Sequence, residues 1–198
     1  MSIISVRFSV RKTDSAFLSA GLLLTVSADF FLLIWIHEAV GISIFCLAHM
    51  MYIIRLTAAH LHSSPKNLRR KKIITRLSFH VIASIICFTV TFIFFDILLA
   101  LSVLYAILFM QDIILAVYMF AKKTPARTNS VLILTGTILF ALCDVNVVLY
   151  NLRFFSNTTF AVLVSSTAYF LLWIFYIPSQ ILLSISGINF NRLAEKSN

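Results

Sequence analysis

The sequence predicts an all-α fold, a polytopic bundle of about six transmembrane helices with both termini in the cytoplasm. Of the 198 residues, 61% are hydrophobic and 12% are charged, whereas about 25% are charged in a typical soluble domain. One soluble core of this length cannot bury so much apolar surface. The apolar residues form continuous runs rather than alternating, which indicates helices instead of a membrane barrel. The basic residues concentrate between these runs, as they do in cytoplasmic loops of membrane proteins.

Six runs have about the 20 residues that a membrane-spanning helix needs. The first run follows Arg7, Arg11 and Lys12, which resembles a signal peptide. Its apolar part is too long for one and contains Asp29, so we interpret it as a retained span. Since no soluble domain is visible, residues 1–198 are predicted to form a single transmembrane domain. The predicted spans are Ala16–Ile36, Ala39–Leu56, Leu77–Phe95, Ile97–Phe120, Asn129–Leu152 and Phe160–Ser186.

The charge distribution predicts the orientation of the bundle. The chain has 16 Lys and Arg against 7 Asp and Glu, a formal net charge of +9. The N-terminus, residues 57–76, residues 122–127 and the C-terminal tail are basic, so the positive-inside rule places all four in the cytoplasm. An even number of spans satisfies this arrangement. The expected location is the inner membrane of a bacterium or the endoplasmic reticulum membrane of a eukaryote.

Composition also excludes several classes of site. A net positive charge alone would be compatible with nucleic-acid binding. Here the basic residues cluster in the loops between apolar runs, as in cytoplasmic loops of membrane proteins, so we expect no nucleic-acid partner. Cys46, Cys87 and Cys143 all lie in apolar runs, and an odd number of such thiols is no disulfide framework. The sequence has no HExxH, CxxC or glycine-rich phosphate loop. We therefore predict no metal and no organic cofactor.

Few ionisable residues lie inside the predicted spans, and two of them form a candidate pair. Asp29 and Asp144 each lie about three to four residues past the midpoint of helices that run in the same direction, roughly 5 Å toward the outer face. They can therefore meet if the first and fifth helices are neighbours. Two carboxyl groups in one low-dielectric site share a proton, leaving one acid and one base for hydrolysis. The other interpretation is that each aspartate bonds a neighbouring helix and fixes packing.

Two further polar pairs accompany the aspartates. His49 and Tyr52 are three residues apart and share a helix face. Tyr176 and Gln180 are one turn apart, with Pro178 between them, and proline inside a span frees a carbonyl and suits a cavity wall. Each pair either lines a cavity or serves packing between helices.

The remaining intramembrane groups are Asp112 and His80. Asp112 lies in a span of the opposite direction, roughly 10 Å in depth from the level of the two aspartates, so we place it outside the site. His80 is expected near the cytoplasmic end of the third span.

Five segments of the chain resemble, in order and spacing, motifs of one membrane protein family. Gly21–Leu33 resembles the Gly-Asp helix of the YhhN family, and Ala48–Ile53 resembles its Ala-His-x-x-Tyr helix. Val103–Met110 is similar to its tyrosine-containing middle helix, and Gly136–Asp144 to its second aspartate helix. Tyr176–Ser186 resembles its closing Tyr-x-x-Ala-Gln helix. The resemblance covers nearly the whole chain.

The resemblance implies an all-helical membrane hydrolase, in a family that usually has about eight spans. Studied members cleave the vinyl ether bond of lysoplasmalogen, so the implied substrate is a lysophospholipid or ether lipid. The implied surroundings are membrane lipids, and the implied reaction needs no cofactor. The implied catalytic residues are Asp29 and Asp144. The implied substrate-binding or proton-relay residues are His49, Tyr52, Tyr176 and Gln180.

The chain also departs from the family pattern. Ala28 replaces a glycine, Cys143 a serine and Thr137 an alanine. Other functional classes stay open: a proton-coupled transporter or lipid-binding membrane protein, and a structural relative without chemistry. An intramembrane aspartyl protease would carry a Gly-x-Gly-Asp motif, but residues 141–143 are Ala-Leu-Cys.

Overall fold

The computed structural model describes residues 12–60, 66–94, 96–123, 126–151 and 158–188. In this part of the chain the structure is all-helical, which confirms the predicted fold class. The helices are α1 (Lys12–Leu33), α2 (Glu38–His60), α3 (Lys66–Phe94), α4 (Ile97–Lys122), α5 (Arg127–Asn151) and α6 (Thr159–Ile185).

Each predicted span corresponds to one helix, and most helices continue beyond the apolar run. Five of them, α1, α2, α4, α5 and α6, are long and apolar enough to cross a membrane. The apolar part of α3, Val81–Phe94, is shorter than a membrane span. The count of six spans and the cytoplasmic termini therefore stay predictions. The first eleven residues, the C-terminal tail after residue 188 and the His80 side chain lie outside the described part.

A short turn reverses the chain between α1 and α2. It comprises residues 34–37, where Ile36 has a φ of 53°. A β-branched residue seldom adopts this left-handed conformation, so the tight reversal holds it there. Asp96 is the N-cap residue of α4, and its side chain makes no capping hydrogen bond.

The helices pack so that α2 and α4 form the centre of the bundle. α2 contacts α1 and α4, while α4 also contacts α3 and α5, and α6 packs mainly on α5. Between α1 and α5 the described residues make no close backbone contact, so these helices are not the neighbours that the simplest pairing of the aspartates requires. Large apolar side chains such as Leu23, Val148 and Phe170 are exposed on the outside, as expected for a surface that faces lipid.

Candidate functional site

A tyrosine of a neighbouring helix holds each of the two predicted catalytic aspartates. The hydroxyl of Tyr176 on α6 donates a hydrogen bond to the Asp29 carboxylate on α1. The hydroxyl of Tyr105 on α4 donates to Asp144 Oδ2 on α5 at 2.5 Å. We call these four residues the aspartate–tyrosine cluster. A hydrogen bond to a charged group is stronger than one between neutral groups, so each phenol fixes its carboxylate.

The tyrosines that hold the two aspartates, Tyr105 and Tyr176, pack against one apolar core although α1 and α5 do not pack together. Ala28 and Cys143, the residues that precede the aspartates, are buried in the same cluster of side chains as Phe140. The shared environment therefore arises through α4 and α6, which supply the tyrosines, and not through direct contact of α1 with α5.

A second polar cluster lies next to the first and is more deeply enclosed. His49 Nδ1 on α2 and Asp112 Oδ2 on α4 are 2.6 Å apart, and their side chains are only 1% and 5% exposed. We call this pair the histidine dyad. From the sequence we place Asp112 outside the site, but Asp112 contacts His49, one of the predicted site residues, because α2 and α4 pack together.

The imidazole ring of His49 connects the two clusters. Its centroid is 5.1 Å from that of Tyr105, whose hydroxyl binds Asp144. It stacks on Phe140 at 5.8 Å, and Phe140 in turn contacts the ring of Tyr176 at 6.1 Å. The predicted neighbour Tyr52 lies 6.1 Å from the His49 ring. His49 thus packs between Asp112 and the tyrosine that holds Asp144.

A small cavity of about 20 Å³ adjoins the histidine dyad. A volume of this size has room for about one water molecule. Two buried atoms of the dyad, His49 Nε2 and Asp112 Oδ1, have no hydrogen-bond partner among the described residues. The cavity is lined by both dyad residues together with Tyr52, Arg55, Leu56, Phe109, Ile133, Thr137, Phe140 and Leu183.

Arg55 is a buried cation on the same wall of the cavity. Its side chain is 3% exposed and pairs with Asp14 through Nε and Nη2, at 3.1 Å and 3.3 Å. Nη1 donates to the Ser186 hydroxyl at 3.1 Å, and Asn129 Nδ2 donates to the Ser186 carbonyl at 2.6 Å. These contacts join α1, α2 and α5 to the end of α6. We call these four residues the Arg55 cluster.

Sequence reasoning missed three of these residues: Tyr105, Asp112 and Arg55. An arginine inside the predicted span Ala39–Leu56 is itself rare enough to be a signal. For Asp112 the signal was present, but its depth was taken as a reason to exclude it. Tyr105 was named only as part of a family-like segment, because a tyrosine in an apolar run is common.

Two predicted site residues have less defined contacts. Tyr52 shares a hydrogen bond of 3.3 Å with the Thr25 hydroxyl and lines the cavity. The Gln180 amide nitrogen is buried without a partner among the described residues, and Pro178 faces outward. In the described part of the chain no group of three or more His, Cys, Asp or Glu is placed to hold a metal ion.

Comparison with known proteins gives one family. The model of the YhhN family matches residues 2–186. No curated protein and no solved structure matches the chain.

Proposed function

The chain belongs to the YhhN family, and from this premise we propose that it is a membrane hydrolase. The proposed reaction is cleavage of the vinyl ether bond of lysoplasmalogen or a related ether lysolipid. The observation that carries the proposal is the aspartate–tyrosine cluster, in which Asp29 and Asp144 each accept a hydrogen bond from a tyrosine that packs against one apolar core. The proposed location is a bacterial inner membrane or the endoplasmic reticulum membrane.

The first chemical step is protonation of the alkene. The protonated member of the aspartate pair gives its proton to the β-carbon, and the alkene electrons form the new C–H bond. Positive charge then develops on the α-carbon and the ether oxygen as an oxocarbenium ion. The ionised partner stabilises this charge, which is worth more in a water-poor site than in solution.

The second step is addition of water. A water oxygen bonds to the α-carbon and loses a proton to a basic group, which gives a hemiacetal. The hemiacetal loses its hydroxyl proton, the bond to the glycerol oxygen breaks, and that oxygen gains a proton. The net reaction consumes one water and releases one fatty aldehyde and one glycerophospho-alcohol.

The exposure of the aspartates agrees with this assignment. Asp29 and Asp144 are only partly buried, whereas the histidine dyad is enclosed. The group that gives its proton directly to the lipid needs access from the membrane, and partial exposure permits this. The tyrosine hydroxyls hold the carboxylates in fixed positions while the substrate is bound.

The test is aldehyde release from purified lysoplasmalogen by the wild-type protein and by Asp29→Asn and Asp144→Asn. Each substitution removes an acid or a base and keeps the shape of the side chain, so we expect activity to fall about 100-fold or more. Asp96→Asn is the matched control, because Asp96 is exposed in the α3–α4 turn, and it should keep full activity. A wild-type protein that releases no aldehyde would contradict the proposed function, and full activity in either site variant would remove that residue from the mechanism.

A second candidate function is proton-coupled transport, which the spread of polar contacts favours. Three polar pairs, one fully and two partly buried, lie at different positions in the bundle: Asp112–His49, Asp14–Arg55 and Asp144–Tyr105. Series of this kind relay protons in transporters. Substrate-dependent proton flux in proteoliposomes without aldehyde release would support this function over hydrolysis.

A further inference from the structure

The histidine dyad has unused hydrogen-bonding capacity that points to a small polar ligand. His49 Nε2 and Asp112 Oδ1 are both buried and lack a protein partner. A buried polar group without a partner costs free energy comparable to a lost hydrogen bond. Both residues line the cavity of about 20 Å³, which has room for one water molecule that donates a hydrogen bond to His49 Nε2.

With Asp112 ionised, the contact with it sets which imidazole nitrogen carries the proton. An ionised carboxylate only accepts hydrogen bonds, so Nδ1 of His49 is the donor to Asp112 Oδ2, 2.6 Å away. In the neutral ring Nε2 is then a bare acceptor. Tyr105, Phe109 and Phe140 pack on the ring at 5.0–5.8 Å and prevent it from turning. A base oriented by a carboxylate in this way is a recurring unit of hydrolytic sites.

We propose that the histidine dyad binds the hydrolytic water in this cavity, with His49 as its general base and Asp112 as the residue that positions His49. This inference rests on the proposed function and deepens it. In this division of roles the dyad binds and deprotonates the water. Of Asp29 and Asp144, one gives the proton to the alkene and the other stabilises the oxocarbenium ion.

The proton balance of the step is complete without another reactant. As the water oxygen bonds to the α-carbon of the oxocarbenium ion, one water proton passes to His49 Nε2. Asp112 stays ionised beside the imidazolium. After the aldehyde and the alcohol leave, this proton returns to the aspartate that gave up the first one, and the site is restored.

The first test reads the tautomer of His49 directly. The protein is labelled with ¹⁵N-histidine in lipid nanodiscs, and the His49 signals are those lost in His49→Gln among the five histidines. We expect a protonated Nδ1 and a bare Nε2 in the wild type, and a shifted tautomer ratio in Asp112→Asn, because an amide can also donate to Nδ1. A wild-type ring protonated only at Nε2, or an unchanged spectrum in Asp112→Asn, would overturn the proposal.

The second test distinguishes the contribution of the cavity water from that of the hydrogen bond between His49 and Asp112. Thr137 lines the cavity, so Thr137→Leu fills it without touching the hydrogen bond between His49 and Asp112. We expect kcat to fall about tenfold with an unchanged tautomer and KM, while Asp112→Asn and His49→Gln lower kcat about 100-fold. His37→Gln and Asp96→Asn, both at exposed turn positions, are the controls and should keep wild-type kcat.

The two proposals fail in different ways. If the wild type releases no aldehyde, the proposed function fails and the ¹⁵N spectra alone decide the dyad. If the wild type is active and Asp112→Asn or His49→Gln keeps full kcat, the dyad assignment fails while the aspartate mechanism stands.

Discussion

The aspartate–tyrosine cluster and the histidine dyad lie side by side but differ in burial and in bonding. Asp29 and Asp144 are partly exposed and each accepts a hydrogen bond from a phenol. His49 and Asp112 are 1% and 5% exposed and bond to each other. Phe140, which is 3% exposed, contacts rings of both clusters. The bundle thus has one partly exposed acidic site and one enclosed site with room for water.

This difference shows how a low-dielectric interior accommodates ionisable groups. Charge without a partner is expensive inside a membrane, and each acidic group in these clusters has a nearby donor: a phenol, an imidazole or, for Asp14, a guanidinium. The enclosed site additionally keeps two polar atoms without protein partners. Such atoms are tolerated where a ligand binds, so the enclosed site has hydrogen-bonding capacity left for a ligand, whereas each aspartate of the other cluster is held by its phenol donor.

The largest expected effect on stability comes from breaking the ion pair between Arg55 and Asp14. Arg55→Met leaves Asp14, whose side chain is 15% exposed, without its cation. Removing one partner of a buried pair costs about 3–5 kcal/mol, so we expect a large drop in the free energy of unfolding. Urea unfolding in lipid micelles measures it.

A matched double variant provides the control for this prediction. Asp14→Leu combined with Arg55→Met replaces both charges by apolar groups, and this exchange is often close to neutral. We therefore expect the double variant to regain most of the lost stability. Equal instability of the single and the double variants would show that Arg55 acts through packing and not through the ion pair.

Removing the phenol donors has an intermediate effect, and it acts on activity. Tyr176→Phe and Tyr105→Phe each delete the hydroxyl that bonds an aspartate. A hydrogen bond to a charged group contributes about 1.5–3 kcal/mol, so kcat for aldehyde release should fall about ten- to a hundredfold. Tyr169→Phe, at an exposed tyrosine on the same helix, should change nothing. Wild-type kcat in both site variants would mean that the tyrosines only pack the bundle.

The smallest expected effect on stability comes from the close contact between Gly21 and the ring of Tyr52, which lines the cavity. A Cβ atom at Gly21 would lie 2.5 Å from Cε1 of the Tyr52 ring, so Gly21→Ala must displace that ring and its bond with Thr25. Overpacking of this kind costs about 1–3 kcal/mol, and we expect a value near the lower end, measured as a shift of the unfolding midpoint. Ser27→Ala, at an exposed position of the same helix, is the control. No shift in Gly21→Ala would show that Tyr52 moves freely.

Sequence reasoning reached part of the candidate site and missed the rest for a definite reason. Asp29 and Asp144 stand out in the sequence because a carboxylate in an apolar run is rare. Their tyrosine partners do not stand out, because tyrosine is common in such runs. Asp112 was excluded by its depth along a helix axis. Depth along one helix does not show which side chains meet across an interface, and Asp112 contacts His49 on the neighbouring helix α2.

The sequence by itself determined the all-helical membrane fold, the family and the two aspartates, since the length and periodicity of apolar runs and rare charges within them are local properties. The tertiary structure alone decided which helices are neighbours. It placed α2 against α4 and kept α1 apart from α5. Contacts between helices depend on side-chain shape over the whole bundle, so only the folded chain brings Asp112 to His49, Arg55 to Asp14 and a tyrosine to each aspartate.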